Sequence, residues 1–255
     1  MIKKFLKFIF RLFVSIGINP KNILNLKYFL RYLKTEQEWL KQGGGITKRF
    51  IFLNDFNSNA GLSSGEYFHH DLLVAKMINE ANPKKHIDVG SRIDGFVSHV
   101  ASFRRIEVLD IRPLEESIHE NIKFIQADLM NTQNIEKTDS LSCLHAIEHF
   151  GLGRYNDPID VNGHIKGINN LIALLESGGT FYISFPIGIK DEIFFNANRV
   201  FHPKTILSIP SVKKSLILSR FDYIDEYGDL HLDKKINSIL SNIRYGCGIY
   251  TFKKL

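Results

Sequence analysis

Three short apolar runs in the middle of the sequence end in residues suited to holding a nucleoside. His86-Ile87-Asp88-Val89 leads into Gly90-Ser91-Arg92, the second run ends in Leu109-Asp110-Ile111, and the third in Gln126-Ala127-Asp128-Leu129. Asp110 follows Gly90 by about 20 residues, the spacing at which an acid accepts hydrogen bonds from a ribose diol. Asp128, at the same level of the next strand, could accept from the exocyclic amine of adenine. Gly90 allows a sharp turn or a close approach of backbone to ligand. A dinucleotide site would add further glycines for a pyrophosphate. Here Arg92 and Asp94 intervene before Gly95, so an adenosine ligand without phosphate fits better. S-adenosylmethionine is the common one. Arg92 could pair with its methionine carboxylate, or simply with Asp94.

A second group follows the fourth apolar run. His145, Glu148 and His149 precede Gly151-Leu152-Gly153-Arg154-Tyr155-Asn156-Asp157-Pro158, with Asp160 and His164 beyond. A Gly-rich loop over strand ends is where an acceptor docks. Taking the proton from an acceptor hydroxyl needs a base, for which His149 and Glu148 come first, then Asp157 and His164. His145 is assigned to the cofactor side. Glu148, Asp157 and Asp160 could also hold a divalent cation, but the preferred reading assigns no metal, and Cys143 and Cys247 lack metal-site spacing. Arg154 and Tyr155 suit a sugar or phosphate, or pin the loop.

These residues require an alternating frame. Strands are expected at 86–89, 106–109, 122–125, 140–144 and 180–185, with helices at 95–102 and 165–175 between them, which means parallel strands joined by crossovers. A helix past Pro203 and late strands at 216–218 and 245–252 complete the set. Ser63 and Glu66 fit a capping box opening a helix that ends at Asn82-Pro83. His69 and His70 in its first turns suit a lid.

The start of the chain differs. In MIKKFLKFIFRLFVSIGI, Lys3, Lys4, Lys7 and Arg11 share one side of a helix, opposite Phe5, Phe8, Ile9, Leu12, Phe13 and Ile16. Charges interrupt the run, so it is no membrane span and no good signal peptide. A basic amphipathic helix suits peripheral contact of residues 1–18 with an anionic membrane, or packing on protein. After Asn19-Pro20, a second helical pattern reaches Leu40, and Gly43-Gly44-Gly45 marks a joint. The expected division is an N-terminal extension over 1–45 and an α/β domain over 46–255. The 255 residues are 44% hydrophobic and 24% charged, ordinary globular composition, with net charge +6. Two cysteines fit a reducing cytoplasm. No nucleic-acid motif is evident.

The ordered set Asp88-x-Gly90, Asp110, Asp128, the Cys143-to-His149 strand end and the Leu174-to-Gly179 turn resembles class I S-adenosylmethionine-dependent methyltransferases. That resemblance implies a Rossmann-like, mostly parallel seven-stranded sheet with one late antiparallel strand, and a cofactor site at Asp88, Gly90, Ser91, Arg92, Asp110, Ile111, Asp128, Leu129 and His145. More narrowly, residues 50 to 255 are similar to an uncharacterised branch associated with bacterial surface-polysaccharide genes. The matching words are Tyr67-Phe68-His69, Val89 to Phe96, Gly151 to Pro158, Ser184 to Gly188 and Asn198 to Phe201. Methylation of a hydroxyl on a sugar or glycan precursor follows from the resemblance, at the inner face of the membrane. The rival is a non-catalytic, membrane-associated accessory of a glycan-assembly complex, with a degenerate site where Arg92 and Asp94 replace glycines.

Overall fold

The computed structural model describes residues 2–18, 20–114, 119–131, 134–241 and 243–255. The chain divides into two compact units, Met1–Leu62 and Ser63–Leu255. In the first, α1 (Ile2–Ser15) leads to a 3₁₀ segment over Pro20–Tyr28 and then to α2 (Phe29–Lys41). The glycine run expected as the joint lies inside this unit. From its last residue onward the chain is tied back to the helices: the Trp39 indole donates to the Gly45 carbonyl at 3.1 Å, Arg49 Nε to Glu36 at 2.6 Å, and Asn25 to Asn54 at 2.6 Å. Leu6, Leu12, Phe13 and Ile16 are exposed. The side chains of Lys3, Lys4, Phe5, Lys7, Phe8 and Arg11, and all of Asn19, lie outside the described residues. Among the described residues, no helix is long and apolar enough to cross a membrane.

The second unit opens with α3 (Glu66–Ala81). The expected capping box does not form. Gly65 takes the N-cap position at φ 93°, a conformation that suits glycine, and its N–H donates to the Gly228 carbonyl at 3.1 Å. Asn82, left-handed at φ 41°, stops the helix before Pro83.

The strands are β1 (His86–Val89), β2 (Ile106–Asp110), β3 (Ile122–Gln126), β4 (Thr138–Leu144), β5 (Leu175–Gly188), β6 (Glu192–Phe194), β7 (Asn198–Val200), β8 (Leu216–Ile224), β9 (Leu230–His231) and β10 (Tyr245–Lys254). Eight of them form one sheet in the order β3-β2-β1-β4-β5-β10-β8-β9. β1 to β5 are mutually parallel, while β10 runs antiparallel between β5 and β8. The sheet thus holds the expected strands plus the two-residue β9. β6 and β7 form a separate hairpin that the sequence reading leaves without structure.

Both faces are covered, so β1 is buried along its whole length, as parallel strands generally are. On one face Ile87, Leu141, Phe181 and Ile183 pack with Ile168, Leu171 and Ile172 of α5 (Gly163–Leu174). On the other, Ile106, Val108, Tyr182 and Ile249 pack with Val74, Ala75 and Ile78 of α3. The helix expected at 95–102 is a π-helical turn, Ile93–Val97, followed by one short turn of α-helix over Ser98–Ala101, because Gly95 departs from helical angles. The strand order reverses between β1 and β4. At such a switch point the carboxyl ends of open α/β sheets leave a crevice.

Candidate active site

The first turn of the crevice is built around a buried carboxylate. Asp88 accepts from the Ser91 N–H at 3.1 Å, the Ser91 hydroxyl at 2.9 Å and the Ser142 hydroxyl at 2.5 Å. Burial pushes its pKa up to about 6, against those hydrogen bonds. Asp88 and Ser91, expected to hold a ligand, therefore shape the loop, and Asp88 does not line the cleft. Gly90 does. At φ 77° it passes so close to Ala146 that an added Cβ would lie 2.6 Å from the Ala146 methyl.

Beyond this turn lies a cleft bordered by Gly90, Asp110, Ile111, Asp128, Leu129, His145, His149 and Asp157. Eight residues singled out from sequence meet there. Ala127, Met130 and Phe150 add apolar wall. A second cavity shares Gly90, Arg112, His145 and Tyr155 with the first and adds Tyr67, His70, Asp71, Arg92 and Arg154. Arg92 does not reach into it as a free cation. Its guanidinium pairs with Asp94 at 3.0 and 2.7 Å, both side chains mostly exposed.

Arg112, which the sequence reading does not single out, borders both cavities. Its side chain donates to both Asp110 oxygens, Nε at 2.9 Å and Nη2 at 2.5 Å, and its guanidinium lies 4.6 Å over the Tyr155 ring. Asp128 accepts from the Met130 N–H at 2.9 Å and the Asn131 amide at 2.7 Å.

The candidate bases part company. His149 Nδ1 lies 2.7 Å from the Ala197 carbonyl, an acceptor only, so Nδ1 carries the proton and Nε2 the lone pair. Burial, the main cause, lowers its pKa and keeps the ring neutral near pH 7. Arg154 donates to the same carbonyl at 2.7 Å, so the hairpin tip between β6 and β7 anchors both residues. Glu148, expected beside His149 as a base, is 1% exposed, and its Oε1 lies 2.9 Å from His145 Nδ1 and 3.7 Å from His149 Nε2, so it sits between the two rings rather than open to the cleft. The buried Arg199 donates to the backbone carbonyls of Glu148 and Phe150. Asp157 borders the cleft, but its carboxylate accepts from the N–H groups of Gly151, Gly153 and Tyr155 and so organises the loop. His164 packs on Phe201 outside both cavities, and Asp160 pairs with Lys166 at 2.6 Å, which leaves the alternative Glu148–Asp157–Asp160 cation set unassembled.

Around the second cavity, burial raises the Asp71 pKa to about 7, helped by Asp88. His145 sits at φ 50° with Cys247 and Glu148 at its two nitrogens. Burial works against a charge on the ring, but these neighbours outweigh it and hold its pKa well above the usual imidazole range.

This sheet order, with a crevice at the β1–β4 switch point and acids ending β2 and β3, is the Rossmann-like methyltransferase fold. Solved structures agree. The chain is similar to the O-methyltransferase of a trans-AT PKS multienzyme of Brevibacillus brevis, solved with S-adenosyl-L-homocysteine, at 12% identity over 72% of this chain and 71% of that one, TM-score 0.52. It is similar to the methyltransferase domain of bacterial CtHen1-C at 16% identity, over 72% and 96%, TM-score 0.51. The [4+2]-cyclase SpnF matches at 11% identity over 84% and 90%, TM-score 0.54. At such identities the likeness concerns fold. No curated protein matches the sequence. Residues 105–238, more than half of the chain, match the family described as "Caenorhabditis protein of unknown function, DUF268", and the chain belongs to that family.

Proposed function

We propose that this protein is an S-adenosylmethionine-dependent methyltransferase that methylates a hydroxyl of a sugar or glycan precursor in surface-polysaccharide synthesis. One observation carries the reading: Asp110 and Asp128 end adjacent strands on one cleft, and His149 borders it with an unprotonated nitrogen. The cofactor fits the residues present. Asp110 would offer carboxylate oxygens to a ribose diol once the Arg112 guanidinium yields them, Asp128 would face the adenine, and Ile111, Leu129 and Phe150 would supply apolar surface for the base. The close passage of Gly90 against Ala146 leaves no room for a side chain there. When bound, the cofactor supplies an electrophilic methyl group on a sulfonium.

The chain's own part is alignment and proton removal. His149 Nε2 takes the proton of the acceptor hydroxyl, and the resulting imidazolium keeps its Nδ1–H on the Ala197 carbonyl. Tyr155, edge-on to His149 and stacked under Arg112, closes the loop and excludes water. Support for the glycan acceptor is the sequence resemblance.

The test is transfer of radiolabelled methyl from S-adenosylmethionine to a pool of sugar nucleotides and lipid-linked glycan precursors. Label in a hydroxyl-derived ether is expected. Cofactor binding without transfer to any of them would favour the accessory-protein reading, for which the observation is the Arg112–Asp110 pair across the site.

The exposed apolar residues of α1 support peripheral attachment of the first unit to the inner face of an anionic membrane. The full chain is expected to pellet with anionic liposomes and release in high salt, while a chain starting at Ser63 stays in the supernatant. Equal sedimentation of both would reject the anchor.

A further inference from the structure

We propose that Glu66, His145 and Cys247 form a binding site for one divalent transition-metal ion, Zn²⁺ by the character of the donors. The three come from separate elements: the first residue of α3, the residue after β4, and the interior of β10. His145 Nε2 lies 3.1 Å from Cys247 Sγ and 3.4 Å from Glu66 Oε2, and the three donor atoms fall within 4.8 Å of one another. Bonds of about 2.0 Å to nitrogen or oxygen and about 2.3 Å to sulfur, at tetrahedral angles, place donors roughly 3.3–3.6 Å apart. Small side-chain adjustments therefore suffice. One thiolate, one imidazole and one carboxylate suit zinc better than magnesium or calcium, which favour all-oxygen sites.

Two further features point to a ligand between these atoms. The first is Glu148. Its carboxylate is 1% exposed, Oε1 takes the His145 Nδ1 proton at 2.9 Å, and Oε2 has no hydrogen-bond partner. A buried carboxylate behind the far nitrogen of an imidazole is the usual support for a metal-binding histidine, because it fixes the tautomer that leaves Nε2 its lone pair. The second is the His145 backbone. At φ 50° it occupies a region side-chain-bearing residues seldom adopt, and its N–H is held on the Ser184 carbonyl at 3.0 Å. That conformation accompanies a ring lying between Cys247 and Glu66.

Binding replaces the thiol proton of Cys247, and any proton on His145 Nε2, by the ion, with release of those protons to solvent. Three protein donors leave a fourth position of a tetrahedral ion for water or for an oxygen of a bound molecule. His145 also borders both cavities, so metal loading would set the orientation of its ring against the cleft. The inference does not depend on methyl transfer.

The test uses the tag-free full chain, reduced and stripped of metal, titrated with Co²⁺. One equivalent should produce a thiolate-to-cobalt charge-transfer band with the visible bands of a tetrahedral ion, and Zn²⁺ should abolish both. Cys247→Ala should lose the charge-transfer band. Glu66→Gln, at a partly exposed site, should keep the fold and bind cobalt about 10-fold or more weaker. No charge-transfer band at saturating Co²⁺, a band that survives Cys247→Ala, or unchanged affinity in Glu66→Gln would overturn the assignment and leave His145 as an imidazolium between two carboxylates.

Discussion

The two ends of the cleft are built in opposite ways. At the β2–β3 end, each acid is held by near neighbours in sequence: Asp110 by Arg112, Asp128 by Met130 and Asn131. At the other end, His145 is held by Glu148, three residues on, but meets Cys247 from β10 and Glu66 from α3. The first end is a set of local turns repeated at successive strands. The second exists only once the sheet is complete. A substitution at the first end should therefore touch binding alone, whereas one at the buried His145 or Cys247 should also touch the fold. His149 lies between them, anchored on a hairpin far along the chain.

The largest expected effect tests that intermediate position. His149→Ala should lower turnover by roughly 100-fold or more and leave cofactor affinity intact, as removal of a general base does. Steady-state kinetics beside calorimetry would check it. If stability and cofactor affinity fell together instead, His149 would belong with the long-range scaffold rather than with the chemistry.

A smaller effect concerns β1, which supports both ends. His86 is buried between the Ser140 and Ser142 hydroxyls, and Ser142 also serves Asp88. Burial drives the His86 pKa from 6.5 down to about 3 and the Asp88 pKa from 3.8 up to about 6. The signs oppose. As pH falls from 6.5 to about 3, the unfolded chain protonates His86 before the folded one, so stability is lost. As pH falls from about 6 to 3.8, the folded chain protonates Asp88 first, so stability is gained. Across that shared window the two offset each other. His86→Asn should remove only the loss. Its unfolding free energy, relative to the original chain, should rise steadily as pH is lowered from 6.5 towards 3 in urea titrations. A constant difference would mean that the histidine is not held neutral.

The same contrast explains what could be read from the sequence. Apolar runs with an acid at or just past the end fix strand ends within a few residues, so β1 to β3 and the acids of the cleft are legible as patterns. Long-range partners are not. Glu66 reads as a capping-box residue because Ser63 stands three positions earlier, yet Gly65 caps the helix and Glu66 turns to His145. Cys247 looks inert without a nearby cysteine or histidine, since its partner lies 102 positions away. Arg112 carries a local signal, a cation two residues after Asp110. The β6–β7 hairpin has strands of three residues each, β6 exposed throughout and β7 with the adjacent Arg199 and Val200 both buried, so no alternation is there to detect.

The central claim is that the β2–β3 end binds an adenosine cofactor through Asp110. Isothermal calorimetry of the full chain with S-adenosylmethionine and S-adenosylhomocysteine tests it most directly. One site per chain is expected, and Asp110→Ala should weaken it by on the order of 1.5–3 kcal/mol, about 10- to 150-fold, with unchanged stability. No heat of binding to the original chain with either compound at about 1 mM, where even weak specific sites begin to fill, would contradict the account.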